Sequence, residues 1–100
     1  MPAYIIADVV IENEGMMVSY RPIAANALVA HKGRILALGE PETLEGEWRR
    51  KRMVLVEFPD IEAARAWYSS PEYAPALKIR QEAASARVLL LDGRKGSYPE

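Results

Sequence analysis

The stretch Arg52-Met-Val-Leu-Val-Glu-Phe58, Pro59-Asp-Ile-Glu-Ala-Ala-Arg-Ala-Trp-Tyr68, Ser69-Ser-Pro-Glu-Tyr73 and Ala86-Arg-Val-Leu-Leu-Leu-Asp92 decides the fold. Its first and last pieces are rich in branched apolar residues, as strands are. Between them lie two helix starts. Asp60 has a capping carboxylate, and Glu62 follows in the first turn, where the helix dipole favours an anion. Ser70-Pro71 repeats the signal with a capping hydroxyl and a proline at the first helical position. Pro75 then confines Ser70–Tyr73 to one turn and predicts a further helical piece over about 74–84. On that piece Ala76, Ile79 and Ala83 face inward, with Leu77 alongside. The block reads strand, broken helix, strand.

Upstream, Ala3 to Ile11 is almost continuously apolar, as suits a central strand. The period of two separates its faces. Ala3, Ile5, Ala7, Val9 and Ile11 form a purely apolar set, assigned to the helices. Tyr4, Ile6, Asp8 and Val10 form the other set, with an acid at its centre. Glu12 to Gly15 reads as a turn. Met16 to Lys32 then has helical spacing, with Tyr20, Ala24, Ala27 and His31 on one face. Pro22 inside this run costs ~3 kcal/mol in a helix interior, so a kink near Tyr20 or a second helix opening at Pro22 is expected. Gly33 reads as the left-handed stop after His31-Lys32. Arg34 to Leu38 is a second strand, joined by a long loop to the third at Arg52–Phe58.

The order is β-α-β-β-α-β, the ferredoxin-like split arrangement. The expectation is an α+β domain over residues 1–94 with a flexible tail at 95–100. A four-stranded antiparallel sheet carries helices on one face, and the second helix is broken. The other face is too apolar to remain bare, so a homodimer packed sheet to sheet, a dimeric α/β barrel, is expected.

One hundred residues suffice for one modest core. Charged residues make up 27% and the net charge is −1, which gives no bias toward nucleic acid or anionic membranes. There is no cysteine, which excludes disulfides and thiolate chemistry. No apolar run reaches the ~18 residues of a membrane span, and Met-Pro-Ala-Tyr carries no basic region followed by an apolar one, so no signal peptide is expected. A cytoplasmic protein without membrane association is the expectation.

The residues from Tyr20, His31-Lys-Gly-Arg34, Leu44-Glu-Gly-Glu-Trp48, Val56-Glu-Phe-Pro59, Glu62-Ala-Ala-Arg-Ala-Trp-Tyr-Ser-Ser-Pro-Glu-Tyr73 and Arg80 resemble the domain-of-unknown-function family 1330 of the dimeric α/β-barrel superfamily. The Ala66–Tyr73 run is the most specific part. The resemblance implies the fold and a homodimer, and no activity. It also implies a glycine where this chain has Lys32. Superfamily relatives include cofactor-free monooxygenases, isomerases and haem enzymes, so the fold alone selects no chemistry.

Six residues are candidate ligand contacts: Tyr20, His31, Arg34, Glu57, Tyr68 and Arg80. His31, the only histidine, is either a base or ligand at a pocket mouth or a cation at a helix C-terminus. Asp8 and Glu57 lie in apolar runs on neighbouring strands and need partners, for which Arg34, Arg52, Arg80 and Arg87 are available. They form either a ligand-binding cluster or an ion-pair network that sets the register of a dimer. Tyr20, Trp67, Tyr68 and Tyr73 either wall a pocket for an organic molecule or fill the core. Tyr20 and Tyr68 are the better contacts, since each has a hydroxyl to offer. No spaced histidine or carboxylate cluster suggests a metal, and no phosphate loop or dinucleotide fingerprint suggests a cofactor.

Trp48-Arg-Arg-Lys-Arg52 is the one basic run. RNA-recognition domains share this strand order but need aromatic stacking residues on the third strand. Met53 and Leu55 stand there, so the run reads as a solvated hairpin with no nucleic-acid partner. Two functions stay open: a homodimeric barrel that binds a small organic or acidic metabolite between helices and sheet, with cofactor-independent monooxygenase or isomerase chemistry among its options, or a structural or regulatory dimer without ligand.

Overall fold

A computed structural model describes residues 1–48 and 52–93. Strand β1 spans Ala3–Ile11, helix α1 Glu14–Ala30, β2 Arg34–Gly39, β3 Arg52–Phe58, α2 Ile61–Tyr68, α3 Ala74–Ala83 and β4 Ala84–Asp92. The sheet order is β2-β3-β1-β4, antiparallel throughout. This is the ferredoxin-like fold. The expected tail at 95–100 and the basic residues 49–51 lie outside the described residues.

Register fixes the faces. Ile5 pairs with Val56 and Leu90, and Ala7 with Val54 and Val88. These side chains share the helix side. Ala3, Ile5, Val56 and Phe58 pack there with Ala27, Ala64, Trp67, Tyr73 and Ala76 in one core. The opposite side carries Tyr4, Ile6, Asp8 and Val10 from β1 with Met53, Leu55 and Glu57 from β3 and Arg87, Leu89 and Leu91 from β4. Leu89 is 64% exposed and Leu91 53%.

Helix α1 begins two residues before the expected Met16. The Asn13 side chain accepts the Met16 N–H at 3.1 Å, so the supposed turn residues Glu14 and Gly15 become its first turn. The helix then runs through Pro22 without interruption. Proline removes one rung of the ladder here, and burial of Met17 on one side of it and Ala27 on the other offsets that loss. The C-terminus also departs from expectation. His31 is the cap, the Lys32 N–H donates to the Val29 carbonyl and the Gly33 N–H to the Leu28 carbonyl. This is a Schellman arrangement, whose left-handed position falls on Lys32 at φ 63° and not on Gly33. Gly33 is needed for another reason. A Cβ there would lie 2.6 Å from Leu28 Cδ1 and 2.7 Å from the Phe58 ring.

The second helix breaks as its prolines dictate. Asp60 caps α2 by accepting the Ala63 N–H at 2.8 Å. The Ser70 hydroxyl donates to the Trp67 carbonyl and accepts the Tyr73 N–H at 3.0 Å. It closes one helix and holds the turn that starts the next. In α3 the buried positions are Ala76, Arg80 and Ala83, so Arg80 takes the inward place expected of Ile79. Strand β4 starts at Ala84, earlier than expected, because Ala84 and Ser85 pair with Ile11 and Val10 along the full length of β1.

Candidate functional site

Helices α1–α3 do not fill the space they enclose against the sheet. A cavity of about 340 Å³ remains. Ile5, Ala7 and Val9 of β1, Val54 and Val56 of β3, and Val88 of β4 line its sheet side, while Met17, Tyr20, Ala24 and Leu28 of α1 line its helix side. Trp67, Tyr68, Tyr73 and Arg80 complete it. Toward the β2 edge Ile35 and Leu38 also line it, and both are more than half exposed. The cavity therefore opens there.

The aromatic wall is continuous. Trp67 lies with its ring centroid 4.3 Å from Tyr73 and 5.5 Å from Phe58. Tyr68 sits 6.0 Å from Trp67 and 6.1 Å from Tyr73. Tyr20 meets Tyr73 edge to face at 6.4 Å, and their hydroxyls are hydrogen-bonded at 3.1 Å. Burial pushes the Tyr20 hydroxyl well above the usual phenol range, and Tyr73 adds to the rise. The nearby Arg80 charge pulls the other way without cancelling it. Tyr20 is thus a neutral hydroxyl across the physiological range.

Charge in the lining is one-sided. Among the described residues its ionised side chains are Arg21, Arg52 and Arg80, with no carboxylate among them. Arg21 is held by Glu14 at 3.1 Å on the outside of α1, and Arg52 is exposed. Arg80 is 8% exposed. No hydrogen bond or ion pair ties its guanidinium to another described residue. The Trp67 indole N–H is likewise buried without an acceptor among the described residues.

The six expected contacts divide. Tyr20, Tyr68 and Arg80 meet at the cavity. His31 does not line it: its Nε2 pairs with Glu72 Oε1 at 2.7 Å and ties the end of α1 to the turn before α3. Arg34 and Glu57 are brought together, but on the helix-free side of the sheet, where Arg34 Nε donates to Glu57 Oε1 at 2.8 Å and the Tyr4 hydroxyl lies 3.4 Å from Glu57 Oε2. Strand parity explains this, since Glu57 faces away from its neighbours Val56 and Phe58. On the same side Asp8, 3% exposed, accepts both Nε and Nη2 of Arg87, whose guanidinium stacks over Trp48 at 4.8 Å. Trp67 and Tyr73, for which pocket wall and core were both open, are in the core and line the cavity as well. The described residues contain no group of three or more histidines, cysteines or carboxylates placed to hold a metal. No described helix is long and apolar enough to cross a membrane.

The chain is a ferredoxin-like domain with an apolar cavity between its layers. The model of the family described as Domain of unknown function (DUF1330) matches residues 2–94, and the chain belongs to that family. Among solved structures it is similar to the RPA0582 protein of unknown function from Rhodopseudomonas palustris, with 19% identity and a TM-score of 0.76 over 95% of this chain and 84% of that one. It is also similar to SnoaB, a cofactor-independent oxygenase from Streptomyces nogalater, with 13% identity and a TM-score of 0.65 over 99% and 98% of the two chains. A third similar structure is a dimeric ferredoxin-like protein of unknown function from Jannaschia sp. CCS1, with 18% identity and a TM-score of 0.65 over 92% and 99%. No curated protein matches the chain.

Proposed function

We propose that this protein is a homodimeric α/β barrel that binds a small organic or acidic metabolite in the cavity between its helices and its sheet. The observation that carries the reading is Arg80. An arginine only 8% exposed, bonded to no described residue and set against an apolar space is costly to hold in a fold, and a fold that needed only a core would place an aliphatic residue there. Its burial against an apolar, aromatic-walled space large enough for a ligand is the pattern of a binding pocket with one orienting polar group.

Self-association is supported by the helix-free side. Both of its carboxylates are already paired within the protomer, Asp8 with Arg87 and Glu57 with Arg34. Leu89, Leu91, Ile6, Val10, Met53 and Leu55 are then the surface left to cover. The dimeric state of the Jannaschia protein agrees with a second copy as the cover.

The lining favours binding over turnover. The SnoaB likeness is one of fold, and among the lining residues no carboxylate or histidine stands ready to abstract a proton; Tyr20 is neutral at working pH. The test is a thermal-shift titration with naphthalene derivatives against the native chain and an Ala24→Phe variant, whose added ring fills the cavity. Stabilisation of the first and not the second is expected. Equal responses, or none, would overturn the reading.

A further inference from the structure

We infer that the ligand is a monocarboxylate on an aromatic or apolar body of about two fused rings, with its carboxylate held by Arg80. This rests on the cavity being a ligand pocket and adds which ligand it takes. Three observations combine. First, the ionised side chains of the lining are arginines without exception, so a cation is repelled and an anion attracted. Second, only one of the three is both buried and unpaired among the described residues. Glu14 holds Arg21 and solvent reaches Arg52, whereas Arg80 is 8% exposed. One buried positive charge matches one negative charge. A phosphate dianion would leave its second charge in apolar surroundings, where it is heavily penalised. The flat fork of guanidinium donors fits a carboxylate in two parallel bonds.

Third, the remaining surface is apolar and flat-sided. Trp67 and Tyr73 lie tilted with their ring centroids 4.3 Å apart and form part of the wall a guest would meet. A cavity of ~150 Å³ accepts benzene, and this one is about 340 Å³, room for two fused rings with a carboxyl group. The Tyr20 and Tyr73 hydroxyls bond each other and so leave the anion to Arg80.

The experiment compares 2-naphthoate with its neutral isostere 2-naphthamide by calorimetry. A parallel readout is Trp67 fluorescence in a Trp48→Phe background. In the native chain the acid is expected to bind at least about tenfold more tightly than the amide, the ratio that a charge-assisted hydrogen bond produces. Arg80→Met should remove that preference while the amide still binds. An amide that binds as well as the acid overturns the inference and leaves the pocket standing. Acid preference that survives in Arg80→Met also overturns it. If neither probe binds, pocket and ligand class fall together. The comparison of two ligands on the native chain decides the matter even where a variant does not fold.

Discussion

The hydroxyl of Tyr20, on α1, and that of Tyr73, at the entrance to α3, are hydrogen-bonded to each other at 3.1 Å. Tyr73 is 2% exposed. Removal of either hydroxyl strands the other, so Tyr20→Phe and Tyr73→Phe should each lower stability by about 1–3 kcal/mol. The double variant should lose less than the sum, because no orphan remains. A denaturant double-mutant cycle measures this. Additive losses would mean that the two hydroxyls do not share their bond.

The same residue sets an alkaline limit. The Tyr20 hydroxyl titrates higher in the folded chain than in the unfolded one, where it behaves as an ordinary phenol near pH 10. The folded state therefore favours the protonated form. Its contribution is complete below about pH 10 and is lost as pH rises above that value toward the folded pKa. Stability measured from pH 9 upward should fall, and the fall should be shallower in Tyr20→Phe.

Lys32 holds a left-handed backbone, φ 63°, that costs a non-glycine residue about 1 kcal/mol or more. Lys32→Gly should therefore stabilise the chain, by roughly 0.5–1 kcal/mol once the greater freedom of unfolded glycine is counted. Its neighbour should behave in the opposite way. Gly33→Ala drives a methyl group against Leu28 and Phe58 and should destabilise by about 1–3 kcal/mol. Chemical denaturation of the two variants gives the signs directly.

If two copies meet through the helix-free side, a charge placed there should part them. Leu89→Asp is expected to convert a dimer to a monomer in sedimentation velocity at micromolar concentration. Val29→Asp, on the exposed surface of α1 at 77% exposure, should leave the dimer intact. A native chain that sediments as a folded monomer would contradict the dimer.

Arg87 holds the buried carboxylate of Asp8 while its own side chain is half in solvent. Arg87→Ala should cost about 2 kcal/mol, less than for a fully buried pair because water screens the guanidinium. Asp8→Asn should cost less than Arg87→Ala, since it removes the charge that needs a partner. Equilibrium unfolding of both variants at neutral pH ranks them.

Particular residues show what could be read from the chain alone. Ser70, Pro71 and Pro75 announced the break between α2 and α3 because capping and proline act within a few bonds. Asp60 announced its helix for the same reason. Pro22 misled, since the burial of Met17 and Ala27 that carries α1 past it is tertiary. Lys32 misled at the cap because glycine next door looked the better fit, and only the clash at Gly33 shows that it is kept small for Phe58. Of the candidate site, Tyr20, Tyr68 and Arg80 were legible as polar tips on the right elements. The cavity was not, because apolar periodicity counts what faces inward and cannot see a gap. Nor does it foresee a charged residue turned inward, which is why Ile79 stood where Arg80 lies. Glu57 and Arg34 were separable by strand parity, and that signal was already present in the alternation around Val56 and Phe58.

The two outer strands of the sheet are unlike. Strand β2 has six residues and a register shift between Ile35 and Ala37, the kind of irregularity that discourages a foreign strand from docking. Strand β4 has nine residues in unbroken register and carries Leu89, Leu90 and Leu91 in succession. A chain handled at high concentration is thus expected to polymerise through the open edge of β4, and that edge is where an engineer should begin to improve shelf life.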